Sequence, residues 1–220
     1  KAFQSWSVKT IEERKELLKN FQELWGGYQE EFTTLLCKET GKPRQFAAME
    51  VGGVGAWFGH HLTLDVPEER IEDDEKVMTT RYMPLGVVGA ICPWNFPLVL
   101  SFGKIIPALL TGCTIIVKPS PFTKAVELCQ AVFPPGVVQV LGGDDKLGPM
   151  FTEHPGIAKI SFTGSIATGK KIMAACSKTL KRVNLELGGN DASIVREDVD
   201  IEATAPELVM GAFQNSGQVS

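Results

Sequence analysis

At 220 residues, 44% hydrophobic and 22% charged, the chain has the make-up of a soluble globular protein with room for one large domain or two small ones. Its net charge of -4, with basic residues only in short pieces such as Lys170-Lys171 and Lys181-Arg182, argues against nucleic acid or an anionic membrane as partner. The longest apolar stretch, Phe96 to Leu110, is broken by Lys104, Pro97 and Pro107 and is too short to span a bilayer.

In chain order, the first sixty residues read as helix. Thr10 before Ile11-Glu12-Glu13 resembles a capping box, and Ile11, Leu17, Leu18, Phe21, Leu24 and Trp25 follow a helical period. Gly26-Gly27 is expected to stop that helix. A second is expected over about Gln29–Glu39, ended by Gly41 and Pro43, and a third over about Gln45–His61, where Gly52, Gly53 and Gly55 suggest close packing against another backbone. Adjacent His60 and His61 point in different directions on such a helix, and with His154 they suggest no zinc site.

Residues Asp65 to Lys76 are acidic and proline-bearing and read as a loop or edge excursion. Beyond them, short β-branched runs alternate with amphipathic stretches. The runs are Gly86–Ile91, Thr114–Val117, Val137–Leu141, Lys159–Phe162, Val183–Leu187 and Ala192–Val195. The helical stretches are Leu98–Leu110, Lys124–Val132, Lys146–Glu153, Ile166–Lys178 and one from Ile201 towards Phe213. This alternation predicts βαβ units: an α/β fold with a parallel sheet covered on both faces. The five cysteines, Cys37, Cys92, Cys113, Cys129 and Cys176, are odd in number and form no Cys-x-x-Cys, which favours a reducing compartment and a cytoplasmic location.

Parallel sheets of this kind bind ligands outside the carboxyl ends of their strands, so the turns after the strands are the places to look. In Phe162-Thr163-Gly164-Ser165-Ile166-Ala167-Thr168-Gly169, Gly164 allows a tight turn and Ser165 is placed as a helix N-cap, which suits either a diphosphate or an ordinary capped turn. Lys118, directly after an apolar strand, could face the crevice and hydrogen-bond ribose or phosphate, or simply be solvated. Two prolines in Pro93-Trp94-Asn95-Phe96-Pro97 hold a neutral amide that could donate to a developing oxyanion, or bond its own backbone. Glu186, within the apolar run Val183–Leu187, is expected to be buried. Desolvation would then raise its pKa and suit it as a general base, unless a nearby lysine pairs with it.

Taken together and in this order, these runs, with Leu185-Glu186-Leu187-Gly188-Gly189 and the terminal Asn215-Ser216-Gly217-Gln218, resemble the NAD(P)-dependent aldehyde dehydrogenase superfamily over nearly the whole chain. The resemblance implies a Rossmann-like sheet. It divides the chain into an N-terminal helical part (1–64), a partial oligomerisation hairpin (65–83) and a dinucleotide-binding domain (84–220). A catalytic domain is expected to follow Ser220 and a short leader to precede Lys1. The implied roles are Asn95 as oxyanion donor, Glu186 as the base for the deacylating water, and Lys118 as ribose ligand. Ser165 with Gly164 and Gly169 would take the diphosphate. Trp94 would form a wall of the cleft, and Thr163 and Leu187 would lie near the nicotinamide. NAD or NADP is the implied cofactor, a small-molecule aldehyde the substrate, and a homo-oligomer the assembly.

Three departures qualify the expectation. Ser220 stands where the family has its catalytic cysteine, and a hydroxyl without an adjacent base is a weak nucleophile. Pro121 replaces a glutamate that many NAD-preferring members direct at the ribose hydroxyls, which admits NADP. The helix between Thr123 and Phe133 is about one turn short. Impaired oxidation is therefore expected, and two other readings stay open: a non-redox isomerase or lyase using Glu186 and Asn95, and a non-catalytic dinucleotide-binding or scaffold protein.

Overall fold

The computed structural model describes residues 1–119 and 133–219. Ser120, Pro121, Cys129, the expected helix Lys124–Val132 and Ser220 lie outside the described residues. The chain opens with α1 (Ala2–Ser7), α2 (Ile11–Thr40) and α3 (Arg44–Leu62). Thr10 caps α2 with a full capping box: its hydroxyl accepts the Glu13 N–H at 3.2 Å, and the Glu13 carboxylate accepts the Thr10 N–H at 2.7 Å.

Gly26-Gly27 does not break α2, contrary to the expectation of two helices. Two mid-helix glycines cost about 1 kcal/mol each relative to alanine, but Phe21 and Trp25 before them and Phe32 and Leu36 after them are all buried in one core. The Trp25 and Phe32 rings stack at 4.2 Å across the glycine pair, and Trp25 Nε1 donates to the Val51 carbonyl of α3 at 3.2 Å. Burial of four large side chains outweighs local propensity. The true stop is Gly41, whose left-handed φ of 71° lets its N–H reach the Cys37 carbonyl. In α3, only Gly53 of the three glycines meets a neighbour, the Val99 side chain at 3.4 Å, so the expected backbone-on-backbone packing is absent.

β1 (Glu69–Glu72) and β2 (Val77–Thr80) pair antiparallel as a fully exposed hairpin, where composition suggested a loop or edge excursion and the family resemblance implied a partial hairpin over 65–83. Its turn is tied by the Asp73 carboxylate, which accepts the N–H groups of Glu75 and Lys76 at 2.9 Å each. These bonds hold the Asp73 pKa below the usual range.

The remaining strands are β3 (Val87–Ile91), β4 (Thr114–Lys118), β5 (Val138–Val140), β6 (Lys159–Gly164) and β7 (Arg182–Leu187), with α4 (Pro97–Leu110), α5 (Leu147–Glu153) and α6 (Ile166–Ser177) between them. They form one all-parallel sheet in the order β5-β4-β3-β6-β7, the Rossmann-like α/β architecture. Alternating residues feed two cores. Val88, Ala90, Ile115 and Val117 pack with α2, α3 and α4, while Ile160 and Phe162 pack with Phe151 of α5 and Ile172 and Cys176 of α6.

The run Ala192–Val195 forms no strand. A strand exists only as a paired ladder, and among the described residues β7 is the sheet edge with nothing hydrogen-bonded beyond it. α7 (Ile201–Phe213) follows, with no buried residue. Among the described residues, no helix is long and apolar enough to cross a membrane, and no cluster of three or more His, Cys, Asp or Glu could hold a metal ion.

Candidate functional site

The sheet order reverses at β3. The chain runs outward from β3 to β4 and β5, then returns to the other side of β3 for β6 and β7. Such a switch point leaves a crevice at the carboxyl ends of the strands. A cavity of about 430 Å³ lies there, lined by Ile91, Lys118, Gly148, Thr152, Thr168 and Ile172 among others. Lys118, the last residue of β4, is only 5% exposed, so the solvated alternative does not describe it.

Ser165 is the N-cap of α6, the helix whose Thr168 and Ile172 line the cavity. Its Oγ accepts the Thr168 N–H at 3.2 Å and donates to Thr168 Oγ1 at 3.0 Å. The first-turn N–H groups of a helix have no intrahelical acceptor, so this end of a twelve-residue helix can accept an anion. Gly169 is the contact point between α6 and β7: a Cβ there would lie 2.6 Å from Leu187 Cδ2. Thr163, one residue before Gly164 at the end of β6, accepts a hydrogen bond from Lys104 Nζ at 2.7 Å.

Asn95 anchors a second group of contacts. Its Nδ2 donates to the carbonyls of Gln218 and Val219 at 3.0 and 3.1 Å, across more than 120 residues of sequence. Its own carbonyl accepts from Lys42 Nζ at 2.8 Å and from Asn215 Nδ2 at 3.1 Å. Its Oδ1 is buried without a hydrogen-bond partner among the described residues. The segment it meets is unusual too: Asn215, Ser216 and Gly217 are three consecutive residues at φ of 52°, 59° and 74°. Non-glycine residues in that region cost of order 1 kcal/mol each and persist only when their surroundings impose them. Asn215, buried and bonded through Nδ2 to both Asn95 and Gln218, is the support.

Glu186 departs from expectation. It is exposed, because β7 is the edge strand and the Glu186 face is uncovered among the described residues. Its carboxylate accepts from Asn184 Nδ2 at 3.2 Å, and no described lysine pairs with it. Trp94 and Leu187 are also outward, 42% and 41% exposed. Trp94 lies on the β3–α4 connection and does not line the cavity.

Sequence reasoning did not single out Lys42, Glu50 or the role of Lys104. Each carried a signal: Lys104 is the lone charge in the apolar run 96–110, Glu50 is the lone carboxylate of a glycine-rich helix, and Lys42 lies between Gly41 and Pro43 where a helix ends. In the structure Lys42 and Glu50 are an ion pair with both side chains essentially unexposed.

A family model described as the aldehyde dehydrogenase family matches residues 1–220. The FUS7 protein of Gibberella fujikuroi, named for the same enzymes, is 51% identical over 99% of this chain and 48% of its own length. Aldehyde dehydrogenase LUC3 of a Fusarium species is 47% identical over 100% of this chain and 48% of its own. Among solved structures, an aldehyde dehydrogenase from Brucella melitensis biovar abortus superimposes with a TM-score of 0.94 at 33% identity, covering 99% of this chain and 47% of that one. An NAD+ complex of the Bacillus cereus aldehyde dehydrogenase superimposes at 0.93 and 36% identity, covering 99% and 47%. The chain spans about half the length of the relatives it matches.

Proposed function

The chain belongs to the aldehyde dehydrogenase family, and on that premise we propose that it supplies the dinucleotide site and oxyanion donor for NAD+- or NADP+-dependent oxidation of an aldehyde to a carboxylic acid. The observation that carries the reading is the meeting of Asn95 Nδ2 with the Gln218 and Val219 carbonyls, which brings a fixed amide donor against the segment leading to position 220. Both N–H groups of that amide are engaged by these two carbonyls; turned from one of them to a bound aldehyde, an N–H there would stabilise the oxyanion that develops when a nucleophile adds to the carbonyl.

The residues of the crevice fit a dinucleotide. A buried lysine ends β4, the N-terminus of α6 opens beside the cavity, and Gly169 keeps α6 close against β7. A nicotinamide cofactor bound there would take the aldehyde hydrogen as hydride. Lys118 binds ribose hydroxyls. Ser165, between Gly164 and Gly169, and the first-turn N–H groups of α6 receive the diphosphate. Thr163 and Leu187 flank the nicotinamide end, with Trp94 at the rim, and Glu186 takes a proton from the water that releases the acid. Ser220 stands at the nucleophile position. Its hydroxyl lacks the acidity of a thiol, so turnover through it is severely reduced. Pro121 offers no carboxylate to repel a 2′-phosphate, and so both cofactors are admitted.

The exposed hairpin, with Ile71, Val77 and Met78 outward, suits pairing with a second copy of the chain. The free thiols Cys37, Cys92, Cys113 and Cys176 suit the reducing cytosol. The test is titration with NAD+ and NADP+ followed by tryptophan fluorescence and calorimetry. Saturable binding of at least one is expected, and no binding of either at millimolar concentration would overturn the proposal.

A further inference from the structure

Resting on the oxyanion role of Asn95, we propose that Lys42 and Glu50 are positioning residues: a buried ion pair that clamps the Asn95 peptide from both sides and fixes the backbone from which its side-chain amide projects. Lys42 and Glu50 side chains are 1% and 0% exposed. Burying two charges is costly, and an isolated buried pair is poor evidence of a gain in stability. What this pair does is visible in its remaining hydrogen bonds, all of which go to one turn.

Lys42 Nζ donates to Glu50 Oε2 and, at 2.8 Å, to the Asn95 carbonyl. It also sits 4.2 Å from the centroid of the Phe96 ring, whose face favours a cation. The other carboxylate oxygen, Glu50 Oε1, accepts the N–H groups of Leu98 at 2.8 Å and Val99 at 3.3 Å. Those are the second and third residues of α4. The helix lacks a cap of its own, since Phe96 offers no side-chain acceptor, and Pro97 has no N–H to satisfy. Glu50 therefore caps α4 from α3, with its negative charge at the positive end of the helix.

Asn95 lies between the two grips. Its carbonyl is held by Lys42 and Asn215, and the helix that starts two residues later is held by Glu50. Little rotation is left for the peptide, so the Cα–Cβ bond that carries the amide leaves the chain in one direction, while the Gln218 and Val219 carbonyls hold Nδ2 itself. A donor stabilises developing charge best when the backbone that carries it does not move during the reaction. The same cation and carboxylate also join the end of α2, the middle of α3 and the start of α4.

The test uses the full-length protein and the variants Lys42→Met, Lys42→Arg, Glu50→Gln and the double Lys42→Met/Glu50→Leu. The double variant removes both charges, so no unpaired ion is left buried and it is expected to fold. The first readout is the Asn95 side-chain amide pair in ¹⁵N spectra, assigned by its loss in Asn95→Asp. In the folded double variant this pair is expected to shift and broaden while other Asn and Gln pairs stay. Lys42→Arg, which keeps a charged donor, should restore it in part.

The second readout is kinetic. In protein that turns over, kcat should fall on the order of 10²-fold with the KM for cofactor unchanged. An unmoved Asn95 amide pair or an unchanged kcat in the folded double variant overturns the proposal, as does a double variant that cannot fold, since the pair would then serve the fold at large. Wild-type protein that binds neither dinucleotide overturns the proposed function instead, and the amide spectra still decide the clamp.

Discussion

Replacing Ser165 with aspartate separates capping from cofactor binding. Ser165 is exposed and accepts the Thr168 N–H at 3.2 Å as the N-cap of α6. Aspartate caps as well as serine, and its charge at a helix N-terminus adds about 0.3–1 kcal/mol. Ser165→Asp should therefore be as stable as the parent or slightly more so, whereas Ser165→Ala loses the cap and about 1 kcal/mol, a drop of about 2–4 °C in Tm for a chain of this size. Cofactor affinity should move the other way. A carboxylate about 5 Å from the two charges of a diphosphate is repelled by about 0.8 kcal/mol per charge even at the dielectric constant of water. That amounts to a loss of more than tenfold, and added salt should shrink it. Urea denaturation gives the stability, and fluorescence titration with NAD+ and NADP+ at two ionic strengths gives the affinity. A Ser165→Asp protein that binds either dinucleotide as tightly as its parent would leave Ser165 a plain helix cap.

Gly169→Ala should gain about 1 kcal/mol of helix propensity and lose a similar amount as the new Cβ, 2.6 Å from Leu187 Cδ2, drives that half-exposed side chain outward. The Tm should hardly move while cofactor affinity falls, and Leu187→Ala in the same chain should restore the helix gain. Thr10→Ala removes the hydroxyl that accepts the Glu13 N–H, while the backbone N–H at position 10 keeps its bond to the Glu13 carboxylate, and should cost about 1 kcal/mol in urea denaturation, with no effect on dinucleotide binding. Burial pushes the Cys92 thiol above its ordinary value of 9.0. The folded state then keeps it neutral where the unfolded chain ionises it, so this contribution is complete below pH 9.0 and lost as pH rises above it; Cys92→Ala should flatten the alkaline limb of stability measured by urea denaturation between neutral and alkaline pH. Ser220→Cys should raise NAD(P)H formation with an aliphatic aldehyde by orders of magnitude, and equal inactivity of both forms would place the block elsewhere.

The alternation of apolar runs and amphipathic stretches after Gly86 was enough to read the parallel sheet, because buried strands must be apolar on both faces and their crossovers must be helical. Local signals failed where tertiary contacts outvoted them. Gly26-Gly27 reads as a stop until Trp25 and Phe32 are seen stacking across it. Ala192–Val195 reads as a strand until its ladder partner is sought and none is found among the described residues. Glu186 failed for a related reason: an apolar strand implies burial only if something covers it, and strand position in a sheet is not written in the strand itself. The places of Lys118 at a strand end, Ser165 at a helix cap and Asn95 in a turn were legible because these are local features.

The clamp is illegible for the opposite reason. Its bonds to residues 95–99 span 48 to 53 positions, and the Asn95 amide reaches 123 and 124 positions further on. No window of sequence contains them, yet they converge on one peptide. The arrangement also ties the precision of the site to the stability of the fold. Removing Lys42 alone leaves the Glu50 charge buried and unpaired, a penalty of about 3–5 kcal/mol, and it also frees the Asn95 carbonyl from one of its two donors. Removing Asn215 alone should cost far less stability, since the amide is neutral, but it releases the second donor and the support of the left-handed turn at residues 215 to 217. Asn215→Ala is therefore the variant in which site order and global stability should separate most. The Tm should fall by only a few degrees, while the Asn95 side-chain amide signals broaden as strongly as in the Lys42 variants. Equal losses in both measures would mean that the turn, and not the amide, bears the load.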